Sequence, residues 1–600
     1  MRKILCSLHE LQDRLRYRAK VDGGASATTN AKAALKVPFP QVYFKQQEPD
    51  IASDISFQIF ADEIFKVFSR FQKQRLSPNI SRTQAEGIRE LQGLVKSHTI
   101  RLSVIDKGGE FVVISNQIDR AITERHLEDS SLYQPCSIEE FQAQFRRLNR
   151  QWMAIAKSAS LDSNLIARLK LESPRCPVLY PLIKTHKFSP ADNVASITPS
   201  SVKVRPIISC VGGPTDRIAW FLNVILTQLL RFIPSHLTNT HMFLDQLRRV
   251  RLSETCAMES FDVESLYTNV SNDAAMEAVL ELLSQHESTV NMHGLSIGQR
   301  CFDLLNAQSE RIMVLLKECL NCNIFRWSGK YFAQTRGLAM GQRLAPTLAI
   351  AFMAKIEVPV LERLPMLYCR YIDDCFIVCS TQDEVDLCFD LLNAQSERIK
   401  VTREKPHEEW LPFLNVQVRT ARGDYSTKWY RKHSNKNILV HWNSAHPLQT
   451  KRAVVRSMFR TAAEVSSGEK ERKESVNIAR NIAELNGYKL PPFRKARAGK
   501  ESSRTNDDLF STKIPFAVPF ISDEVSTSIR KCLRRAGLQN TVGIVEIPPD
   551  NLKRRLVRNR MYDRTCATPN CVVCPSGREG DCSATGVAYK ITCQNCGKRI

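Results

Sequence analysis

The feature that most constrains the fold of this chain is a pair of adjacent aspartates between two apolar, β-prone runs. The segment reads Leu367-Tyr-Cys-Arg-Tyr-Ile-Asp373-Asp374-Cys-Phe-Ile-Val-Cys379. Aromatic and β-branched residues on both sides of a short polar break predict an antiparallel hairpin with its acids at the turn. Neighbouring carboxylates in apolar surroundings repel each other, so they favour a bound divalent cation. A solvated Asp-Asp turn is the alternative, and the apolar flanks argue against it.

A second strand-like run also ends in an aspartate. It reads Met258-Glu-Ser-Phe-Asp262-Val-Glu-Ser-Leu-Tyr267-Thr-Asn-Val270, with an aromatic residue five positions after the aspartate. One carboxylate on this strand facing two on the hairpin can hold two Mg²⁺ ions about 4 Å apart. Such a pair of ions stabilises the attacking and leaving oxygens of an in-line phosphoryl transfer. The two segments together therefore predict a phosphoryl-transfer site.

A glycine-containing segment stands between these two elements. It reads Arg336-Gly337-Leu-Ala-Met340-Gly341-Gln-Arg-Leu-Ala345-Pro346 and precedes an apolar run. Its glycines let the backbone approach a base pair closely, and Pro346 suits the first turn of a following helix. Taken alone, the segment would be a loop and the start of a core helix.

The excess of basic residues predicts a polyanionic partner. The formal net charge is +23, and residues 431–500 hold 16 Lys and Arg against 5 Asp and Glu. On predicted helices, this density favours a track for a nucleic-acid backbone over a solvated basic face. Hydrophobic residues make up 43% of the chain and charged residues 24%, which excludes a wholly disordered or fibrous protein. No apolar run reaches the roughly 18 residues of a membrane span, so no membrane partner is expected.

Six cysteines are concentrated in the last 35 residues, whereas the others are scattered along the chain. Two CxxC pairs with further cysteines predict structural Zn²⁺ in a reducing compartment, and free thiols are the alternative. The spacing does not fix which four side chains bind one ion. The candidate ligands are Cys566, Cys571, Cys574, Cys582, Cys593 and Cys596.

One twelve-residue segment occurs twice. Cys301–Ile312 and Cys388–Ile399 both read CFDLLNAQSERI. Solenoid repeats come in series and diverge in sequence, so a single identical pair indicates a recent duplication or a gene-model error. The second copy lies where a helix is expected, and the first copy is the suspect one.

The order and spacing of these elements resemble a reverse transcriptase of the Penelope-like retroelements, a group related to telomerase reverse transcriptase. The resemblance runs from about Phe39 to Ile600 and includes several elements besides those above. These are Asp106-Lys107-Gly108, Tyr180-Pro-Leu-Ile-Lys184-Thr-His186-Lys187, Lys203-Val-Arg205-Pro206-Ile-Ile-Ser209, Leu411-Pro-Phe-Leu414, and a thumb-like segment with His446-Pro447 and Lys451. Met340 for Gln, Arg343, Ala345 and Asn415 depart from the pattern of many reverse transcriptases, and none of them removes a metal ligand.

The resemblance implies roles for individual residues. Asp262, Asp373 and Asp374 would bind the catalytic Mg²⁺ ions, with Asp374 the least directly engaged. Tyr267 would be the steric gate that selects dNTPs over rNTPs, and a plain core aromatic is the alternative. Contact with the nucleotide or the template is implied for Lys187, Arg205, Gly341 and Lys405. Contact with the primer end is implied for Leu411, Pro412, Phe413 and Leu414. Lys405 is also the candidate for the acid that protonates the leaving pyrophosphate. For Lys187 and Arg205 the alternative interpretation is a solvated basic loop without a ligand.

The expected fold class is α+β, a right-hand polymerase with an antiparallel palm sheet. We expect a flexible leader at 1–35, an N-terminal extension and fingers at 36–250, a catalytic palm at 251–420, and a basic thumb at 421–498. A small α/β linker module at 499–564 and a Cys-rich segment at 565–600 would follow. Gly586-Val-Ala-Tyr589-Lys-Ile591 resembles the first strand of a GIY-YIG endonuclease. The rest of that motif has no counterpart in this sequence, so we expect a truncated nuclease that does not cut DNA.

The expected activity is RNA-directed DNA synthesis with Mg²⁺, on an RNA template, a DNA primer or target DNA, and dNTPs. Basic runs such as Lys553-Arg554-Arg555 and a chromosomal target favour a nuclear location. Two other functions remain open. The chain could be a catalytically inactive relic that still binds nucleic acid, or a telomerase-like or maturase-like reverse transcriptase with a dedicated RNA.

Overall fold

The computed structural model describes residues 2–23, 37–39, 55–72, 79–172, 174–188, 198–293, 307–490, 513–559 and 562–563. The helices are α1 Arg2–Gly23, α2 Ile55–Gln72, α3 Arg82–Lys96, α4 Asn116–Leu127, α5 Ile138–Ser158, α6 Ser163–Leu169, α7 Asp216–Leu226, α8 Thr240–Arg249, α9 Leu266–Asn269, α10 Asn272–His286, α11 Ala307–Asn321, α12 Ala345–Ile356, α13 Val358–Glu362, α14 Gln382–Ala394, α15 Leu448–Glu464, α16 Glu469–Leu485, α17 Asp523–Arg535 and α18 Leu552–Leu556. Short 3₁₀ helices cover Thr185–Lys187, Thr227–Phe232 and Glu287–Thr289.

The strands are β1 Ile100–Val104, β2 Phe111–Ser115, β3 Tyr133–Cys136, β4 Val178–Ile183, β5 Val204–Ser209, β6 Ala257–Val263, β7 Ile324–Trp327, β8 Lys330–Gln334, β9 Leu367–Tyr371, β10 Asp374–Cys379, β11 Val401–Glu404, β12 Leu411–Phe413, β13 Val416–Ala421, β14 Asp424–Trp429, β15 Ile514–Pro519 and β16 Val542–Ile547. They form sheets that are segregated from long helices, and this confirms the α+β prediction.

The central sheet has the strand order β11-β6-β10-β9, and all of its pairs are antiparallel. Its β9–β10 hairpin pairs Tyr371 with Asp374, so Ile372 and Asp373 form a two-residue turn, and the predicted hairpin is confirmed. β10 is buried from Cys375 to Cys379 because both of its faces are covered. Helices α7, α10, α11, α12 and α14 pack on one face. The sheet β12-β13-β14 and helices α8, α15 and α16 pack on the other.

A five-stranded sheet has the order β3-β8-β7-β4-β5, with three strands from before β6 and two, β7 and β8, from between β6 and β9. Its only parallel pair among the described strands is β4 with β7. The separate β1–β2 hairpin is tied to this sheet, because the Asp106 N–H donates to the Ile183 carbonyl over 3.1 Å. The loop at the tip of that hairpin is thereby fixed beside the end of β4.

The two ends of the described chain share one small core. β15 and β16 are parallel and are joined by α17, and helices α1 and α2 complete the core. The flexible leader predicted for 1–35 is corrected over residues 2–23, which form helix α1, and the rest of that range lies outside the described residues. Ile4, Leu8 and Leu11 lie on one helical face and are buried against this module.

The first copy of the repeated segment is part of the main core where the structure describes it. Its last six residues begin α11, and Ile312 is fully buried. The second copy spans α14 and the loop after it, where Cys388 and Leu392 are buried. Among the described helices, none is long and apolar enough to cross a membrane.

Candidate active site

Three aspartates meet at one end of the central sheet. Asp262 stands directly opposite Asp374 in the β6–β10 ladder. Asp373 occupies the hairpin turn, and its carbonyl accepts a 3.1 Å hydrogen bond from the Val263 N–H. Asp262 and Asp374 also line a cavity of about 360 Å³. The strand pairing thus brings together the three carboxylates that the sequence singled out.

A buried ion pair supports the hairpin turn. Arg370 is fully buried, and its Nε lies 2.7 Å from Oε2 of the equally buried Glu357. Its Nη1 donates to the Ile372 carbonyl over 3.0 Å. Ile372 has φ +57°, a strained conformation for a β-branched residue. The guanidinium therefore stabilises the turn that carries Asp373, a role that the sequence alone did not indicate.

The electrostatics of the aspartates favour a bound cation. Burial, and next the charge of Asp373, raise the pKa of Asp374 to about 6. The same two causes raise the pKa of Asp262. Lys107 and Lys432 oppose this shift at both residues and offset it only in part. The carboxylates thus oppose one another's ionisation, which a divalent cation would relieve.

The donor set fits Mg²⁺, because this ion prefers carboxylate oxygens. The described residues nevertheless contain no group of three or more His, Cys, Asp or Glu side chains already arranged to hold a metal ion.

Tyr267 lies between the turn and the basic residues of the five-stranded sheet. Burial and the charge of Asp373 raise its pKa, and Arg205 opposes them. Its carbonyl accepts a 2.6 Å hydrogen bond from the Leu338 N–H. The side chain also packs partly against the main core. Tyr267 thus lies near Asp373 and Arg205 and also packs partly against the core, so its roles as a gate and as a core aromatic both remain open.

The two glycines of the intervening segment approach protein backbone. Gly337 has φ +79°, and a Cβ there would lie 2.6 Å from the Tyr267 carbonyl oxygen. Gly341 has φ +136°, and a Cβ there would lie 2.2 Å from the Ile208 carbonyl oxygen. The sequence predicted a close approach to a base pair, whereas the backbone that these glycines approach in the structure is that of β5 and of the segment after β6. Arg343 pairs with Asp216 at a distance of 2.7 Å, which accounts for one of the departures from the family pattern.

Basic side chains of the five-stranded sheet surround a single buried carboxylate. Nε of Arg205 lies 2.7 Å from Oδ1 of Asp106, whose side chain is only 4% exposed. Lys187 ends the 3₁₀ helix after β4, and its charge lowers the pKa of Asp262. The structure therefore places Arg205 and Lys187 on the aspartate side of this sheet.

The predicted primer-end segment lies at the same cavity. Leu411 and Phe413 are buried under the central sheet. Pro412, Phe413 and Leu414 line the cavity that also contains Asp262 and Asp374. Tyr430, Lys432 and His433 line it as well, and we did not predict them because the basic run around them gave no reason to select one residue.

Lys405 is not brought to the aspartates. Its Nζ lies 3.8 Å from Glu259, which also pairs with Arg403. Glu259 is three residues from Asp262 on β6, and alternate residues of a strand point to opposite faces. The structure thus gives no geometric support to Lys405 as a nucleotide-binding residue or acid. The six C-terminal cysteines and the segment from Gly586 to Ile591 lie outside the described residues.

Two segments of the chain match models of known protein families. Residues 202–407 match the family model of the reverse transcriptase (RNA-dependent DNA polymerase), and residues 438–497 match that of the animal helix-turn-helix domain. A search of curated protein sequences found no match.

Several solved structures resemble the chain. Apo telomerase from Candida tropicalis matches with a TM-score of 0.38 and 9% identity, over 72% of this chain and 75% of that one. Telomerase from Candida albicans, in complex with a TWJ fragment of telomeric RNA, matches with a TM-score of 0.38 and 10% identity, over 89% and 92% of the two chains. The BmCPV RNA-dependent RNA polymerase matches with a TM-score of 0.29 and 10% identity, over 66% and 33%.

Proposed function

We propose that this chain is the RNA-directed DNA polymerase of a Penelope-like retroelement, and the match of residues 202–407 to the reverse transcriptase family model supports the polymerase activity. It adds dNTPs to the 3′-OH of a DNA primer on an RNA template. The observation that carries the proposal is the pairing of Asp262 with Asp374 beside the Asp373 turn, over a cavity shared with Pro412 and Phe413. The order of the family motifs along the sequence supports the Penelope-like assignment.

We propose that Asp262, Asp373 and Asp374 hold two Mg²⁺ ions. When bound, these ions stabilise the charge on the attacking and leaving oxygens. Tyr267 stands beside the turn and excludes a ribose 2′-OH. The remaining roles are those that the resemblance implies: Arg205 and Lys187 bind the triphosphate, Gly341 lies near the nascent pair and template, and the segment from Leu411 to Leu414 holds the primer end.

The helices after the central sheet are proposed to hold the template–primer hybrid. Arg452, Arg456 and Arg460 are exposed and recur every fourth residue, which places them on one face of α15. Val455 and Met458 on another face are buried. A row of arginines of this kind contacts the phosphate backbone without reading bases. In this proposal residues 421–498 are the thumb, 251–420 the palm, and 36–250 the N-terminal extension and fingers.

For the C-terminal segment we propose structural Zn²⁺, held by four of its six cysteines. The support is the spacing of the CxxC pairs, which is typical of zinc sites. Metal analysis of the purified full-length chain, compared with a variant in which Cys571, Cys574, Cys593 and Cys596 are all replaced by serine, tests the proposal. Only two of the six cysteines remain in that variant, too few for a four-cysteine site, so loss of bound zinc is expected. Equal zinc content in both proteins would refute the proposal.

We propose a nuclear location, supported by basic runs such as Lys553-Arg554-Arg555 and by the chromosomal target that a retroelement polymerase would have. Staining of a tagged full-length chain is expected to label nuclei. Staining of the cytoplasm alone would refute the proposal.

Primer extension on an RNA template tests the proposed function directly. We expect extension by the wild-type protein with Mg²⁺, and none without metal or in Asp373→Ala. Hybrid binding measured at two salt concentrations shows whether each protein still engages nucleic acid. Binding without extension by the wild type would favour the inactive relic instead.

A further inference from the structure

Two loops from opposite sides of the cleft touch each other beside the aspartates. The 106–110 loop joins β1 to β2, and the 430–437 loop follows β14. Gly108 has φ +110°, and a Cβ there would lie 2.9 Å from the Ser434 carbonyl oxygen. Next to this contact, Nζ of Lys436 lies 3.8 Å from Oε2 of Glu110. The contact therefore combines a close backbone approach that needs glycine with an exposed ion pair.

Each loop is also fixed at its base. In the 106–110 loop, Asp106 pairs with Arg205 and its N–H donates to the Ile183 carbonyl. In the 430–437 loop, the Tyr430 N–H donates to the Asn415 carbonyl over 2.9 Å. The Lys432 carbonyl accepts from the Asn435 N–H over 2.8 Å, which closes a tight turn. The lysines in these loops are thus carried on constrained backbone.

Two exposed lysines lie on the two sides of the contact. Lys107 stands between Asp106, the partner of Arg205, and Gly108 at the contact. Lys432 lines the cavity that contains Asp262 and Phe413. The charges of both lysines act on Asp262 and on Asp374. Lys107 therefore belongs to the triphosphate side of the site, and Lys432 to the primer side.

We infer that the 106–110 and 430–437 loops form one phosphate-binding element across the cleft. Lys107 binds the triphosphate of the incoming nucleotide, and Lys432 binds the backbone phosphate at the primer end. This inference rests on the proposed function. The competing explanation is that the two lysines serve only to balance the charge of the aspartates. In that case their removal would strengthen Mg²⁺ binding, because a nearby positive charge would be lost, and it would leave phosphate ligands unaffected.

A primer that ends in a dideoxynucleotide separates binding from chemistry. With Mg²⁺ present, we would measure the affinity of the full-length protein for the primer–template, and then the affinity of that complex for the next dNTP. Loss of one charge-assisted contact is expected to weaken the ligand concerned about tenfold. Lys107→Met should weaken the dNTP and leave primer–template binding within about twofold. Lys432→Met should weaken primer–template binding, reduce the salt dependence of that binding, and leave the affinity for the dNTP within about twofold.

The matched controls use residues of the same kind. Lys157→Met removes an exposed lysine from α5 and should change neither affinity. Lys107→Arg and Lys432→Arg keep the charge and should restore most of the binding. Gly108→Ala should weaken both ligands, because its Cβ forces the loops apart. Gly109→Ala should weaken neither, since Gly109 has a similar φ of +83° and nothing within 4 Å of the added Cβ.

The outcomes separate this inference from the proposed function. Affinities in both methionine variants equal to those of Lys157→Met would overturn the inference, as would a change in Mg²⁺ requirement alone. Equal weakening of both ligands by each lysine variant would also overturn it, because each lysine would then lack its own ligand. Extension of an ordinary primer by the wild type tests the polymerase itself, and the blocked-primer measurements stand whether or not extension occurs.

Discussion

At the scale of single residues, the proposed Mg²⁺ site predicts that Asp374 makes the activity depend on pH. Its pKa of about 6 means that the proton is retained until the pH rises to that value. Below it, Mg²⁺ must displace a proton, so the Mg²⁺ concentration for half-maximal extension should rise about tenfold per pH unit. Above about pH 7 the carboxylate is already ionised and the requirement should be constant.

Mg²⁺ titrations of primer extension between about pH 5 and 8 would measure this dependence. Primer–template binding followed over the same range controls for loss of nucleic-acid affinity. A Mg²⁺ requirement that stays constant down to pH 5 would contradict an elevated pKa at the metal site.

The buried pair of Arg370 and Glu357 should affect both stability and rate. Glu357→Gln leaves the buried guanidinium without its counter-charge, and we expect a cost of about 3–5 kcal/mol, observed as a lower melting temperature. Replacing both residues by methionine restores an apolar environment and should recover most of that loss. The double variant still lacks the hydrogen bond from Arg370 to Ile372, so its extension rate should stay low while its hybrid affinity is normal.

Melting curves together with extension rates test this pair. A double variant with wild-type melting and wild-type extension would show that the pair has no effect on the turn. A double variant that melts as low as Glu357→Gln would instead show that packing, rather than the unpaired charge, causes the loss.

At the scale of elements, Gly337 should be essential for the position of Tyr267. Gly337→Ala combines a left-handed φ with a Cβ 2.6 Å from the Tyr267 carbonyl oxygen. Gly329 has nearly the same φ, +80°, with nothing within 4 Å of its Cβ. Gly329→Ala should therefore cost only the backbone strain of about 1–2 kcal/mol. Gly337→Ala should also displace Tyr267, and so reduce both extension and discrimination between dNTP and rNTP.

Incorporation of matched dNTP and rNTP by the two glycine variants provides the measurement. Equal effects of the two alanine substitutions on discrimination would show that strain alone explains them.

The repeated segment shows how strongly context decides the structure of an element. The letters QSERI lie within helix α11 at 308–312, whereas at 395–399 the same letters follow the end of α14. Ile312 and Ile399 are both fully buried. The apolar residue is thus placed in a core in both cases, and the surroundings determine whether the four residues before it are helical.

At the scale of the whole molecule, the two chain ends should stabilise each other. Leu11 of α1 is 1% exposed in the core it shares with β15, whereas Leu5 on the same helix is 49% exposed. Leu11→Asp buries an unpaired carboxylate and should release α1, which would increase hydrogen exchange in β15. Leu5→Asp introduces the same charge at an exposed position and should leave that exchange unchanged.

Hydrogen exchange of residues 514–519 in the full-length variants is the measurement. Unchanged protection in Leu11→Asp would contradict the packing of the N-terminal helix on this module.

What the sequence by itself determined is the chemistry at the centre of the molecule. The alternation and apolar flanks around Asp373 predicted a hairpin, and the run ending at Asp262 predicted the neighbouring strand. These elements follow from local periodicity and turn formation, which a short segment already encodes.

Only the tertiary structure decided which distant residues meet this centre. Lys432 reaches the aspartate cavity, Gly108 meets Ser434, and α1 packs on β15 across almost the full length of the chain. The same is true of Arg370, which is held below the turn by the Ile350 carbonyl of α12 and by Glu357 directly after that helix. The physical reason is that such contacts join segments far apart in sequence. No local pattern specifies them, and they form when whole sheets and helices bury their apolar faces together.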